Sequence, residues 1–129
     1  MKKILYLTTF LLIAHLIGMQ GLYYSTWYYD DILHFMGGFT VAVMAFVFFP
    51  KIKVKTNFIN IFIFIVLVAF LWELHEYLWD LFLVKDYGFP IMQLGIKDTI
   101  SDFLLALVGG FVYYFIINRR INTGNKCLS

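Results

Sequence analysis

The sequence predicts an all-α integral membrane protein with four transmembrane helices and both termini on the cytoplasmic side (N-in/C-in). Of its 129 residues, 62% are apolar and only 14% charged, against about 25% charged in a soluble domain. Four apolar runs each approach the ~20 helical residues that cross about 30 Å of hydrocarbon. Basic residues gather on alternate connections between those runs, as the positive-inside rule requires. Fifteen Phe and nine Tyr exceed what one small core can hide, whereas lipid solvates the outward faces of helices. A membrane β-barrel needs at least eight strands of about 9 to 11 alternating residues, and neither the alternation nor the length is present.

The first run, 4–21, lies in "MKKILYLTTFLLIAHLIGMQG". Its basic start and apolar middle resemble an export signal, but no A-x-A site follows and His15 interrupts the apolar stretch, so a retained helix is expected. The second run, 31–49, follows the aromatic belt "QGLYYSTWYYDD" and stops at "FFPKIKVKTN", where Pro50 meets three lysines. The third, 58–79, ends in "LWELHEYLWD", and the fourth, 99–117, begins after "KDYGFPIMQLGIKD" with its two glycines and Pro90. Residues 1–129 therefore read as a single four-helix transmembrane domain.

Lys2, Lys3, Lys51, Lys53, Lys55, Arg119, Arg120 and Lys126 fall on the N-terminus, the second connection and the C-terminus. These share one side of a four-span protein, which the rule makes cytoplasmic. No basic stripe suggests nucleic acid. The single Cys127 offers neither a disulfide framework nor a metal-type CxxC pair.

With this topology all eight acidic residues lie towards the outer face. Asp30 and Asp31 open the second helix, Glu73, Glu76 and Asp80 close the third, Asp86 is in the outer loop, and Asp98 and Asp102 open the fourth. At 1.5 Å per residue, Glu73 is about 22 Å along from Phe58, and Asp102 about 6 Å in from Asp98, so both reach the outer leaflet. Successive residues turn by about 100°, which puts Glu73, Glu76, Tyr77 and Asp80 on one face and His75 away from it beside Trp72 and Trp79. Asp30 and His34 are four apart, as are Asp98 and Asp102.

Three helices thus each present stacked ligand-type side chains at one height. Carboxylates that close repel unless a cation sits among them or they share protons. The sharpest reading is a divalent metal site with Asp30, His34, Glu73 and Asp102 as ligands, and with Glu76 and Asp98 as the carboxylates left for proton transfer. Carboxylates with one imidazole suit Mg²⁺, Mn²⁺, Fe²⁺ or Zn²⁺. The plainer reading is that acids at helix ends snorkel to water or favour a helix N-terminus, which suits Asp30, Asp31, Asp80, Asp86 and Asp98. Glu73, Glu76, His34 and Asp102 are deeper, and intramembrane ionisable groups read as functional by default. His15 and His75 read as packing or interfacial hydrogen-bonding residues. Gly37 with Gly38, and Gly109 with Gly110, would let the second and fourth helices approach without side chains between them.

The stretches "YYDDILHFMGGF", "LWELHEYLW" and "KDTISDFLLALVGG" resemble three signature segments of the uncharacterised bacterial YjdF-like inner-membrane proteins and, more distantly, of the VanZ-like proteins. The resemblance covers about residues 29–112 and singles out Asp30, His34, Glu73, Glu76, Asp98 and Asp102. It departs at Asp31, where a basic residue is usual, and in lacking a Gln-Trp between the last two aspartates. It implies a multi-pass protein of the bacterial cytoplasmic membrane, with no established reaction.

Two classes of function follow. One is a metal-dependent hydrolase or transferase acting on a lipid or lipid-linked envelope substrate, because a site at that depth faces headgroups. The other is non-catalytic: binding or passing a cation or protons, or assembling with a membrane partner. No P-loop, nucleophile elbow or zincin motif is present. Substrate, metal identity and oligomeric state are not legible.

Overall fold

The computed structural model describes residues 1–92 and 95–126, with side chains as far as Arg120. Cys127 lies outside the described residues. Four long helices account for the fold: α1 (Lys2–Ile17), α2 (Tyr29–Phe48), α3 (Phe58–Trp79) and α4 (Ile96–Lys126). With their continuations they form four segments long and apolar enough to cross a membrane: Lys2–Ser25, Tyr29–Ile52, Phe58–Tyr87 and Ile96–Arg120. Among the described residues no strand occurs.

The expected runs are reproduced, and the differences lie at the ends. α1 does not stop near residue 21. It passes through a wide π turn, Gly18–Leu22, into Tyr23–Ser25. Gly21 sits at φ 128°, a conformation other residues rarely adopt, and the chain is thereby redirected so that Tyr23 turns back over α1. α2 closes in a 3₁₀ turn, Phe49–Ile52, that holds Pro50 near its start. α3 is capped by Asn57, whose side chain accepts the Asn60 N–H at 2.9 Å. Its far end runs on through a second π turn, Asp80–Val84.

The α1–α2 and α3–α4 connections meet at the same end of the bundle. There the Tyr24 hydroxyl donates to the Ile91 carbonyl, the Asp80 carboxylate accepts the Met92 N–H at 2.8 Å, and the Trp79 indole donates to the Pro90 carbonyl at 3.2 Å. The opposite end carries Lys51, Lys53 and Lys55, all exposed.

The most extensive interface joins α2 and α4. A Cβ on Gly38 would run into the Ala106 backbone, and one on Gly109 into the Phe35 carbonyl. Only glycine allows backbones this close, and dispersion contacts replace the hydrophobic force that lipid does not supply. The apolar core lies towards the lysine-bearing end, where Val41, Ala42, Ala45, Phe49, Ile61, Ile65 and Ala106 pack together. Phe58 and Phe111 stack there at 4.8 Å, while Phe10, Phe62, Phe70, Phe82 and Phe115 stay exposed for lipid. α1 packs against α2 and has no comparable interface with α3 or α4 among the described residues.

Candidate metal centre

The glycine-mediated crossing of α2 and α4 brings His34 opposite Asp102. His34 Nε2 lies 3.4 Å from Asp30 Oδ1, one turn earlier on α2, and 3.8 Å from Asp102 Oδ2 on α4. α3 closes the third side with Glu73 and Glu76. Two groups of potential ligands result, Asp30–His34–Asp102 and His34–Glu73–Glu76, and within each the ligand atoms all lie within 4.8 Å of one another. They share His34, so one imidazole links carboxylates from three helices.

Burial makes this arrangement demanding. Asp102 is 1% exposed, Glu76 4% and Glu73 6%, whereas unpaired carboxylates are almost never fully buried. Glu76 has one partner: the Trp72 indole N–H, one turn back on α3, donates to its Oε1 at 2.8 Å. Glu73 has Thr99 at the start of α4 as a hydrogen-bond partner for one oxygen, and its Oε2 has none. Neither carboxylate oxygen of Asp102 has a hydrogen-bond partner. Three buried carboxylate oxygens thus lack a hydrogen-bond donor, one of them 3.8 Å from His34 Nε2.

A family described as "Predicted membrane protein (DUF2238)" matches residues 1–123. The chain belongs to this DUF2238 family. No curated protein and no solved structure matches it. Membership of DUF2238 fits the four apolar spans and leaves the chemistry to be argued from this chain's own residues.

The site residues expected from sequence divide as follows. Asp30, His34, Glu73, Glu76 and Asp102 come together. Asp98, half-buried one turn before Asp102, belongs to neither group, and Asp31 is likewise outside both. Asp80 holds the loop at Met92. His75 is exposed between Trp72 and Trp79, with ring centroids at 5.4 and 6.2 Å.

Two details of the expected face are corrected. Tyr77 is 52% exposed and leaves the site, while Trp72, expected to point away, serves Glu76. Both lie about 70° from the Glu73–Glu76 midline on opposite sides of the helix, and the cluster formed by α1 and α2 sits on the Trp72 side.

The first span adds a layer behind the cluster, in which His15 packs and hydrogen-bonds as expected while its partner Tyr23 was not foreseen. His15 is buried, its Nδ1 is 2.7 Å from the Tyr23 hydroxyl, and its ring meets Trp72 edge-on at 5.1 Å. The Tyr29 hydroxyl donates to the Ala14 carbonyl at 2.7 Å and fastens α1 to α2. The i,i+4 relation of Trp72 to Glu76 was available as a signal. The position of Tyr23 was not, because it depends on the turn at Gly21.

Proposed function

We propose that this DUF2238 protein holds a divalent cation among Asp30, His34, Glu73, Glu76 and Asp102 in the outer half of the membrane, and uses it on a lipid or lipid-linked phosphate. The observation that carries the reading is the set of donorless oxygens on buried Glu73 and Asp102. Buried carboxylates are relieved by a proton of their own, a shared proton, a nearby imidazolium such as His34 at 3.8 Å from Asp102, or a bound cation, and of these a cation serves all the open oxygens at once. Carboxyl groups sharing a proton close to about 2.5–2.7 Å, and no such contact relieves Asp102 or Glu73 Oε2. Within each of the two groups that share His34 the ligand atoms lie within 4.8 Å of one another, which a modest inward shift would bring to the span of an ion with bonds of about 2.0–2.2 Å.

Oxygen-rich ligation with one imidazole favours Mg²⁺, Mn²⁺, Fe²⁺ or Zn²⁺. When bound, such an ion polarises a phosphoryl oxygen or acidifies a water. The chain's own residues hold and orient: Asp30, His34, Glu73 and Asp102 supply ligands from three helices. Glu76, fixed by Trp72, is placed to accept a proton, and Asp98 waits one turn nearer the headgroups. We also place the protein N-in/C-in in a bacterial cytoplasmic membrane, with the YjdF-like proteins as its nearer kin.

The test is elemental analysis of purified protein, with thermal unfolding before and after chelation. Metal should be present near one equivalent, and chelation should remove stability, by about 2.7 kcal/mol if the ion had been at a hundred times its Kd. Glu73→Gln, which keeps shape but loses charge, should lower metal content. Protein that contains no metal, ignores the chelator and is stabilised by Glu73→Gln would overturn the cation reading in favour of non-catalytic proton sharing.

A further inference from the structure

Beneath the carboxylate cluster lies a cavity of about 310 Å³ walled by α1, α2 and α3. Leu11, Leu12, Met44, Val68 and Ala69 give it an apolar lining, while Asp30 and His34 stand at one end. This is the pattern of a ligand site, mostly apolar with a few convergent polar groups and at the small end of the usual 300–1,000 Å³. It is open sideways: Leu12 and Trp72 both line it and remain 59% and 39% exposed, and α1 has no interface with α3 comparable to that with α2. His15 touches Trp72 across that slot. A slot between transmembrane helices faces hydrocarbon, not water, so the occupant with access is a lipid chain.

One detail shows room left for it. Gly37 lines the cavity, and a Cβ there would meet nothing within 4 Å, unlike Gly38 on the α4 side. The volume equals roughly ten water-sized units, enough for one chain and not two.

We propose that this cavity takes one hydrocarbon chain of a phosphate-headed lipid through the α1–α3 slot, with the phosphate at the Asp30–His34 end. The inference rests on the cation reading, because without a cation the surrounding carboxylates repel a phosphate. It goes further in naming the ligand class, the entry route and the residues that measure the chain.

The experiment uses the full chain in phosphatidylcholine nanodiscs with Trp27→Phe and Trp79→Phe, which leaves Trp72 as the one indole of three. The probe is a dodecyl phosphate brominated at C3, close to the headgroup and so at the level of Trp72, with 3-bromododecane as the headless control. Bromine quenches Trp72 fluorescence at contact. Saturable quenching is expected from the phosphate probe and a merely proportional rise from bromododecane. Gly37→Leu and Ala69→Leu, which fill the cavity from opposite walls, should each weaken the saturable phase by at least about tenfold while metal content is unchanged.

Saturation that survives both fillings, or a phosphate probe that behaves like bromododecane in metal-loaded protein, overturns the cavity assignment and leaves the cation reading intact. Saturable, Gly37-sensitive quenching in protein that contains no metal overturns the cation reading instead.

Discussion

At the scale of single residues, the site is a problem of unpaired charge, and substitutions that look alike separate its causes. Asp102→Asn removes one negative charge from the most buried carboxylate of the cluster. If that charge only endured burial, the change would be neutral or stabilising by as much as about 1–4 kcal/mol. With a cation to hold, it should instead lower the unfolding temperature and make the protein indifferent to chelators, as measured by thermal unfolding in detergent with and without chelator. Trp72→Phe tests the layer behind the ligands. It keeps most of the ring surface against His15 but deletes the N–H that Glu76 accepts, and loss of such a supporting hydrogen bond typically costs about 10–100-fold in metal affinity. His75→Phe, on the opposite face of the same turn, should leave affinity unchanged in the same titration. Most of the buried cluster was legible because ionisable residues in apolar runs carry their own signal, as Glu73 and Asp102 do. Thr40, whose buried hydroxyl has no hydrogen-bond partner, carried no such signal, since a threonine in a helix normally satisfies itself locally, and its missing partner emerges only from the fold.

At the scale of elements, the glycines decide whether the residues of the cluster meet. Gly38 and Gly109 sit where the backbones of α2 and α4 touch, so an added methyl has no flexible neighbour to displace. Gly109→Ala should therefore cost about 1–3 kcal/mol through overpacking and widen the crossing that sets the His34–Asp102 separation. Gly37→Ala, one residue from Gly38 but facing the cavity, should be tolerated within about 0.5 kcal/mol or gain slightly from reduced chain entropy. Comparing the two in a thermal series, with metal content as a second readout, checks that helix contact and not mere glycine loss is responsible. An equal fall in both variants would refute the distinction. The sequence indicated this contact because paired glycines fall on α2 and α4 below the acids. It did not indicate which glycine of each pair faces the partner, because that depends on helix rotation. Helix ends differ where π turns at Gly18–Leu22 and Asp80–Val84 carry the helices on: the first holds two glycines and a glutamine and reads as a loop, and the second opens on Asp80, which marks an end although apolar residues follow it.

At the scale of the whole molecule, the leaflet that the site serves depends on which way the bundle sits in the membrane. The coordinates bring Asp30, Glu73, Glu76 and Asp102 to the end where Tyr24 meets Ile91, and leave Lys51, Lys53 and Lys55 exposed at the other. Lysine and arginine near short loops resist translocation, whereas acidic residues contribute little to orientation. The positive-inside rule therefore predicts that the lysine-rich end stays inside and that the cluster faces out, within reach of outer-leaflet headgroups. The same reasoning predicts its own reversal. A reporter fused after Lys55 or after Arg120 should read cytoplasmic and one inserted near Tyr87 external. Replacing Lys51, Lys53 and Lys55 with Gln while adding lysines beside Tyr87 should shift part of the population to the inverted state. A cytoplasmic reading at Tyr87 in the unaltered chain would move the candidate metal centre to the inner leaflet. The ligand geometry would survive that result, because it is internal to the bundle, but the class of lipid-linked substrate would have to be sought on the cytoplasmic side.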